Sequence, residues 1–122
     1  MPERLQRPRS RDQRPPSRHM RSLLRQAFFA VYRVIRALNL TGALRSPEVA
    51  ALHRAVALCR RATARDPQPD WLAALATAVP PGRTEAVAAL DLLLQHLAAI
   101  ELDWERRLIA AGIDPKWPAS GA

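Results

Sequence analysis

Residues 18–40 read RHMRSLLRQAFFAVYRVIRALNL. Met20, Leu24, Ala27, Val31, Val34 or Ile35, and Leu38 return every three or four residues. That is the period of an α-helix with one covered side. The other side is charged. At about 100° per residue, Arg18, Arg21, Arg25, Phe29, Tyr32 and Arg36 fall within about 80° of one another, with Arg33 at the edge. The segment is therefore an amphipathic helix with a basic strip opposite its core stripe. Asn39 and Gly42 suit a C-terminal stop.

The chain beyond it repeats the helical pattern. Ser46-Pro47-Glu48 supplies an N-cap, a proline at the first helical position and an acid in the first turn. A second helix is expected over residues 47–65, with Val49, Leu52, Val56 and Cys59 facing the core. Asp66-Pro67 and Pro69 end it. Asp70 is placed to cap a short third helix with Trp71, Leu72, Leu75 and Val79 on its apolar side, and Pro80-Pro81-Gly82 stops it. Thr84 is placed to cap the longest helix, over residues 85–111. Its inner stripe is Val87, Leu90, Leu93 or Leu94, Leu97, Ile100, Trp104 and Leu108, with Gly112 and Pro115 beyond. No stretch alternates as a strand would, and no internal repeat is present. The reading is all-α: a small bundle of four or five helices over residues 18–115, with short loops and antiparallel neighbours.

At 122 residues the chain forms one domain, and a chain of this size buries about two-thirds of its extended surface. The scarcity of Gly, at 4, and of aromatic residues, at 5%, leaves a helix-forming composition. With Cys59 alone, no disulfide can close within the chain. His19, His53 and His96 lack ligand spacing, so neither a metal nor any other cofactor is expected. A glycine-rich phosphate loop and a metalloprotease motif are both missing, so the expectation is a non-enzyme. No apolar run reaches the roughly 18 residues of a membrane span.

The net charge of +8 is unevenly spread. Residues 1–65 carry fifteen Arg against Glu3, Asp12 and Glu48, whereas residues 66–122 carry eight acids against three Arg and Lys116. Such separation attracts polyanions to the basic half, and it permits head-to-tail stacking of copies, basic half against acidic half. Residues 1–17, MPERLQRPRSRDQRPPS, hold four prolines and few apolar groups, which reads as a disordered basic arm. A targeting leader fits poorly, because Arg25 and Arg33 interrupt the apolar stretch after the arm. A cytoplasmic location is therefore expected. Residues 116–122 read as a flexible tail. The preference for Arg over Lys fits a GC-rich bacterial genome.

The basic strip of the first helix carries the sharpest functional signal. Guanidinium groups pair with phosphate in bidentate fashion, and exposed rings stack on unpaired bases. Arg54, Leu58, Arg61 and Arg65 share a face of the second helix with no acid among them, so the two strips would merge into one groove if the helices lie side by side. The expected ligand is RNA or single-stranded DNA, held without sequence preference. The plainer reading is that the arginines form a solvated face and that Phe29 and Tyr32 pack under a neighbouring helix. Glu101 interrupts the inner stripe of the long helix, where a buried carboxylate would need an Arg partner. Ala98, Leu102 and Ile109 form a second apolar seam there, suited either to the third helix or to a partner subunit. A protein-interaction adaptor docking through the long helix, or a basic amphipathic membrane-surface binder, are the rival readings.

In architecture the chain resembles the small helical subunits of class 1 CRISPR effector complexes. The matching features are the Arg18–Arg36 strip, the Arg54–Arg65 strip and the two-sign polarity suited to stacking. The Pro-Arg arm lies outside that pattern. The resemblance implies a non-catalytic subunit of an antiviral-defence complex that binds nucleic-acid backbone among other protein subunits.

Overall fold

The computed structural model describes residues 14–116. Most of the expected N-terminal arm and the tail from residue 117 onward lie outside them. The described residues form four helices and no strand: α1, Arg18–Thr41; α2, Ser46–Ala62; α3, Asp70–Thr77; and α4, Arg83–Ala110. An all-α bundle is thus the architecture, as the periodicity implied.

α1 forms where its stripe predicts. Leu24, Ala27, Val31, Val34 and Leu38 are buried, while Met20 and Ile35 are half-buried beside them. Ser17, expected to end the arm, instead caps the helix: its hydroxyl accepts the Met20 N–H at 3.1 Å. Gly42 closes the other end at φ 76°, a left-handed conformation that favours glycine, with its N–H on the Leu38 carbonyl.

The starts of the other three helices differ from expectation by one or two residues. α2 is capped at Arg45, not Ser46, because the Glu48 carboxylate turns back to accept the Arg45 N–H at 2.8 Å and its guanidinium at 2.7 Å. α3 begins at Asp70 with Pro69 as its cap, which leaves the Asp70 charge in the first turn. α4 begins at Arg83 behind Gly82, not behind Thr84, and the Glu85 carboxylate occupies the space a side chain at Gly82 would need.

α2 also ends sooner than its pattern suggested. Both the N–H and the hydroxyl of Thr63 bond the Cys59 carbonyl, at 3.1 and 2.7 Å. Gln68 then donates to the Thr63 carbonyl at 2.8 Å, which fixes a turn over residues 63–66. Arg65 consequently sits in that turn and not on the α2 face.

Three cross-contacts give the directions of the helices. Arg61, late in α2, donates to the Met20 sulfur, early in α1, at 3.2 Å. Arg21 donates to the carbonyls of Pro115 and Lys116, just past α4, at 3.3 Å each. Arg83, opening α4, reaches Asn39 near the end of α1 at 3.5 Å. α1 is therefore antiparallel to both α2 and α4 and packs against both. α3 packs on α2 and α4, and its Trp71 meets the His96 ring edge-on with centroids 5.8 Å apart.

The core is one cluster to which all four helices contribute: Val31, Val34, Leu52, Leu72, Leu90, Leu93 and Leu97 are among its fully covered members. Burying each such side chain favours folding by roughly 1.5–3 kcal/mol. Cys59 lies in the same core, and burial pushes its thiol up to about 12, so it stays protonated. Among the described residues no helix is long and apolar enough to cross a membrane.

Leu97→Ala should destabilise the bundle by about 2–5 kcal/mol in urea melts, since its cavity opens at the centre of α4. The bonds from Arg45 hold the Glu48 carboxyl below its usual range, with further help from the Arg33 charge. Its stabilisation is complete above the unfolded carboxylate range and is lost as pH falls through the lowered folded value. Glu48→Gln should therefore unfold earlier than the parent chain at about pH 7, and the two should converge once the pH falls below the lowered folded value.

Candidate nucleic-acid interface

With α2 on one flank and α4 on the other, α1 turns its third side to solvent as a ridge. Arg18, Arg25, Arg33 and Arg36 are exposed there, and Arg21 is half-buried towards α4. Phe29 and Tyr32 are 59% and 57% exposed. The rings do not pack under a neighbour, contrary to the plainer reading of the sequence. Phe29 borders a groove on each flank of α1 and Tyr32 the one beside α4, and both grooves are open enough to leave the rings largely in water.

The sequence suggested a single merged groove from the strips of α1 and α2. The structure divides most of the candidate residues among three grooves instead, and leaves Arg18 and Arg36 outside them. The first, of about 300 Å³, runs between α1 and α2, and brings Phe29, Arg33 and Arg54 together. Its remaining wall is mostly small, with Ala27, Ala30, Ala51 and Ala55. No acid lines it, although the Arg33 charge is also felt by Glu48 nearby. This groove is the part of the expected interface that folding does assemble.

The second groove, of about 400 Å³, lies between α1 and α4. It holds Arg21, Arg25, Phe29 and Tyr32, but also Glu101 and Glu105. Because α4 runs back along α1, the acidic half of the chain lies against the basic half here. The linear charge separation is therefore not a separation in space along this edge. Glu101 is exposed, not buried as its place in the stripe suggested, because the groove is open to water at its level.

The third groove, of about 730 Å³, lies where the end of α2 and the turn after it face α4 and the residues leading into α1. Arg61 and Arg65 line it, away from Arg54. Leu58, assigned to the same strip, is only 6% exposed and belongs to the core, since α2 is covered by α3 and α4 as well as α1. Arg14, from the basic arm, lines this groove too, as do Arg106 and Arg107, which the sequence reading passed over. Arg106 and Arg107 stand in the acid-rich half of the chain, where net charge conceals them. Arg107 pairs with Asp103 at 2.7 Å. His96 also lines the groove; burial lowers its pKa, opposed by the Asp66 charge, so its ring is neutral near pH 7.

The second seam of α4 stays uncovered. Leu102 and Ile109 are 48% and 59% exposed, and Ala98, one turn before Leu102, is exposed too, so α3 does not use the seam. Ile113 extends the same apolar side just past the helix. Among the described residues no group of three or more His, Cys, Asp or Glu side chains could hold a metal ion. Comparison of the chain with known protein families, with curated proteins and with solved structures finds no match.

Proposed function

We propose that the chain is a cytoplasmic, non-enzymatic accessory subunit of a nucleoprotein complex, holding RNA or single-stranded DNA by its backbone. The observation that carries this reading is the exposure of Phe29 and Tyr32 on the solvent side of α1, beside exposed Arg25, Arg33 and Arg36. Keeping two large rings in water forgoes roughly 1.5–3 kcal/mol of burial for each, so the fold itself gains little from them there. An unpaired base offers both rings a partner, and a base inside a duplex does not. Arg33 and Arg54 flank Phe29 in a groove without a lining acid, which suits phosphates on either side of a stacked base. Binding of this kind has weak sequence preference, because phosphate contacts position a strand without reading it. The small helical subunits of class 1 CRISPR effector complexes, which the chain resembles, supply the corresponding role within an antiviral assembly.

The adaptor reading is favoured by one observation of its own, the uncovered Leu102 and Ile109 seam. The two readings are compatible in one molecule, with the α1 ridge on the strand and the α4 seam on a neighbouring subunit, such as a second copy.

Titration of labelled single strands should give a log–log salt slope of about −2 or steeper, at about −0.7 for each phosphate neutralised. Phe29→Ala and Tyr32→Ala should each weaken single-strand binding by about five- to a hundredfold, with little effect on duplex. Arg33→Glu with Arg54→Glu should abolish the steep slope. Equal affinity for single strands and duplex, unchanged in these variants, would defeat the proposal. Leu102→Asp with Ile109→Asp should leave strand binding intact and lower the sedimentation coefficient of any self-associated species at high concentration.

A further inference from the structure

The groove between the end of α2 and α4 is not absorbed by the reading of the α1 ridge. Its position is concave, whereas the ridge is open. Five arginines line it from three separate parts of the chain: Arg14 before α1, Arg61 and Arg65 around the end of α2, and Arg106 and Arg107 on α4. Two carboxylates, Asp66 and Asp103, stand against them, and the Asp103 charge is already engaged by Arg107 at 2.7 Å.

Two buried polar atoms at this wall have no hydrogen-bond partner, the Arg107 Nε and the His96 Nε2. Of the two, the Arg107 Nε is a donor in every state, and its N–H held from water without an acceptor carries a desolvation cost that an anion oxygen would relieve. The carbonyls ending α2 do not repel an anion as strongly as an open helix end would. Cys59 and Thr63 already accept from Thr63 and Gln68. Arginines from three parts of the chain around one concave groove match an anion with several phosphoryl groups in a row better than they match one extended strand.

We infer that this groove binds a compact polyphosphate, a run of two or more linked phosphoryl groups, through Arg61, Arg65, Arg106 and Arg107. The chemistry is shared by a free nucleoside triphosphate and by the 5′-triphosphate end of a strand. The site is separate from the α1 ridge, and its test does not depend on that ridge binding nucleic acid.

The experiment is calorimetric titration of the full chain with sodium tripolyphosphate and, at matched ionic strength, with sodium sulfate. Tripolyphosphate should bind at least about tenfold more tightly than sulfate, beyond what ionic strength alone gives. Arg61→Gln with Arg65→Gln should reduce that affinity by about tenfold or more, and the charge-matched Arg60→Gln with Arg83→Gln, exposed and outside all three grooves, should leave it unchanged. Arg106→Gln, exposed on α4, provides a second variant that does not touch the turn after α2. Equal binding of the two anions would overturn the proposal, as would equal losses in the Arg60/Arg83 variant. Oligonucleotides ending in a 5′-triphosphate or a 5′-hydroxyl then separate the two sources. A preference for the triphosphate end identifies a strand terminus as the ligand, and displacement by ATP without such a preference identifies the free nucleotide. If neither end is preferred and ATP displaces nothing, the groove is not a polyphosphate site. Strand binding by the 5′-hydroxyl oligonucleotide, lost or kept, reports on the ridge alone.

Discussion

The bundle depends on one burial: the apolar stripe of α1 lies between α2 and α4, with Val31 and Val34 completely covered. Everything outside the core follows from how α1 is clasped. Its two flanks are used for packing, which leaves a single solvent-facing ridge to carry arginine and aromatic residues together. The same antiparallel arrangement brings Glu101 and Glu105 alongside Arg21 and Arg25, and separates that charge-balanced edge from the acid-free groove on the α2 side. The electrostatic character of the surface is therefore set by helix direction as much as by composition.

α1 was legible almost residue for residue, because a 24-residue helix with a strict apolar period leaves little freedom in which side faces inward. Its ends were legible for a related reason, since Gly42 adopts the one conformation that glycine is best able to supply. Caps elsewhere were harder to place. At α2 the decisive group is the Glu48 carboxylate reaching back to Arg45, not the hydroxyl of Ser46, and a wheel does not reveal a side chain that curls against its own backbone. The early end of α2 has a similar cause in Thr63 and Gln68.

The candidate site was only partly legible. A helical wheel separates inside from outside for one helix facing one neighbour. It fails where a helix has several. Leu58 reads as surface until α3 and α4 add to the covered arc of α2, and Glu101 reads as core until the groove beside α1 is seen to be open. Arg61 and Arg65 were correctly marked as basic and exposed, but their company is different from that expected. They stand with Arg106 and Arg107, from a part of the chain whose net charge is negative, because distance along the sequence says little about distance across a bundle.

The bonds from Arg21 to Pro115 and Lys116 bring the first turn of α1 beside the exit of α4. The two ends of the bundle's chain are thus neighbours, although 95 positions separate Arg21 from Lys116. A domain closed in this way has no privileged starting point. Its ends can be joined and the chain opened elsewhere, for instance in the segment between α3 and α4, without threading a connection across the core. Helix order along the gene and helix arrangement in space are then independent variables.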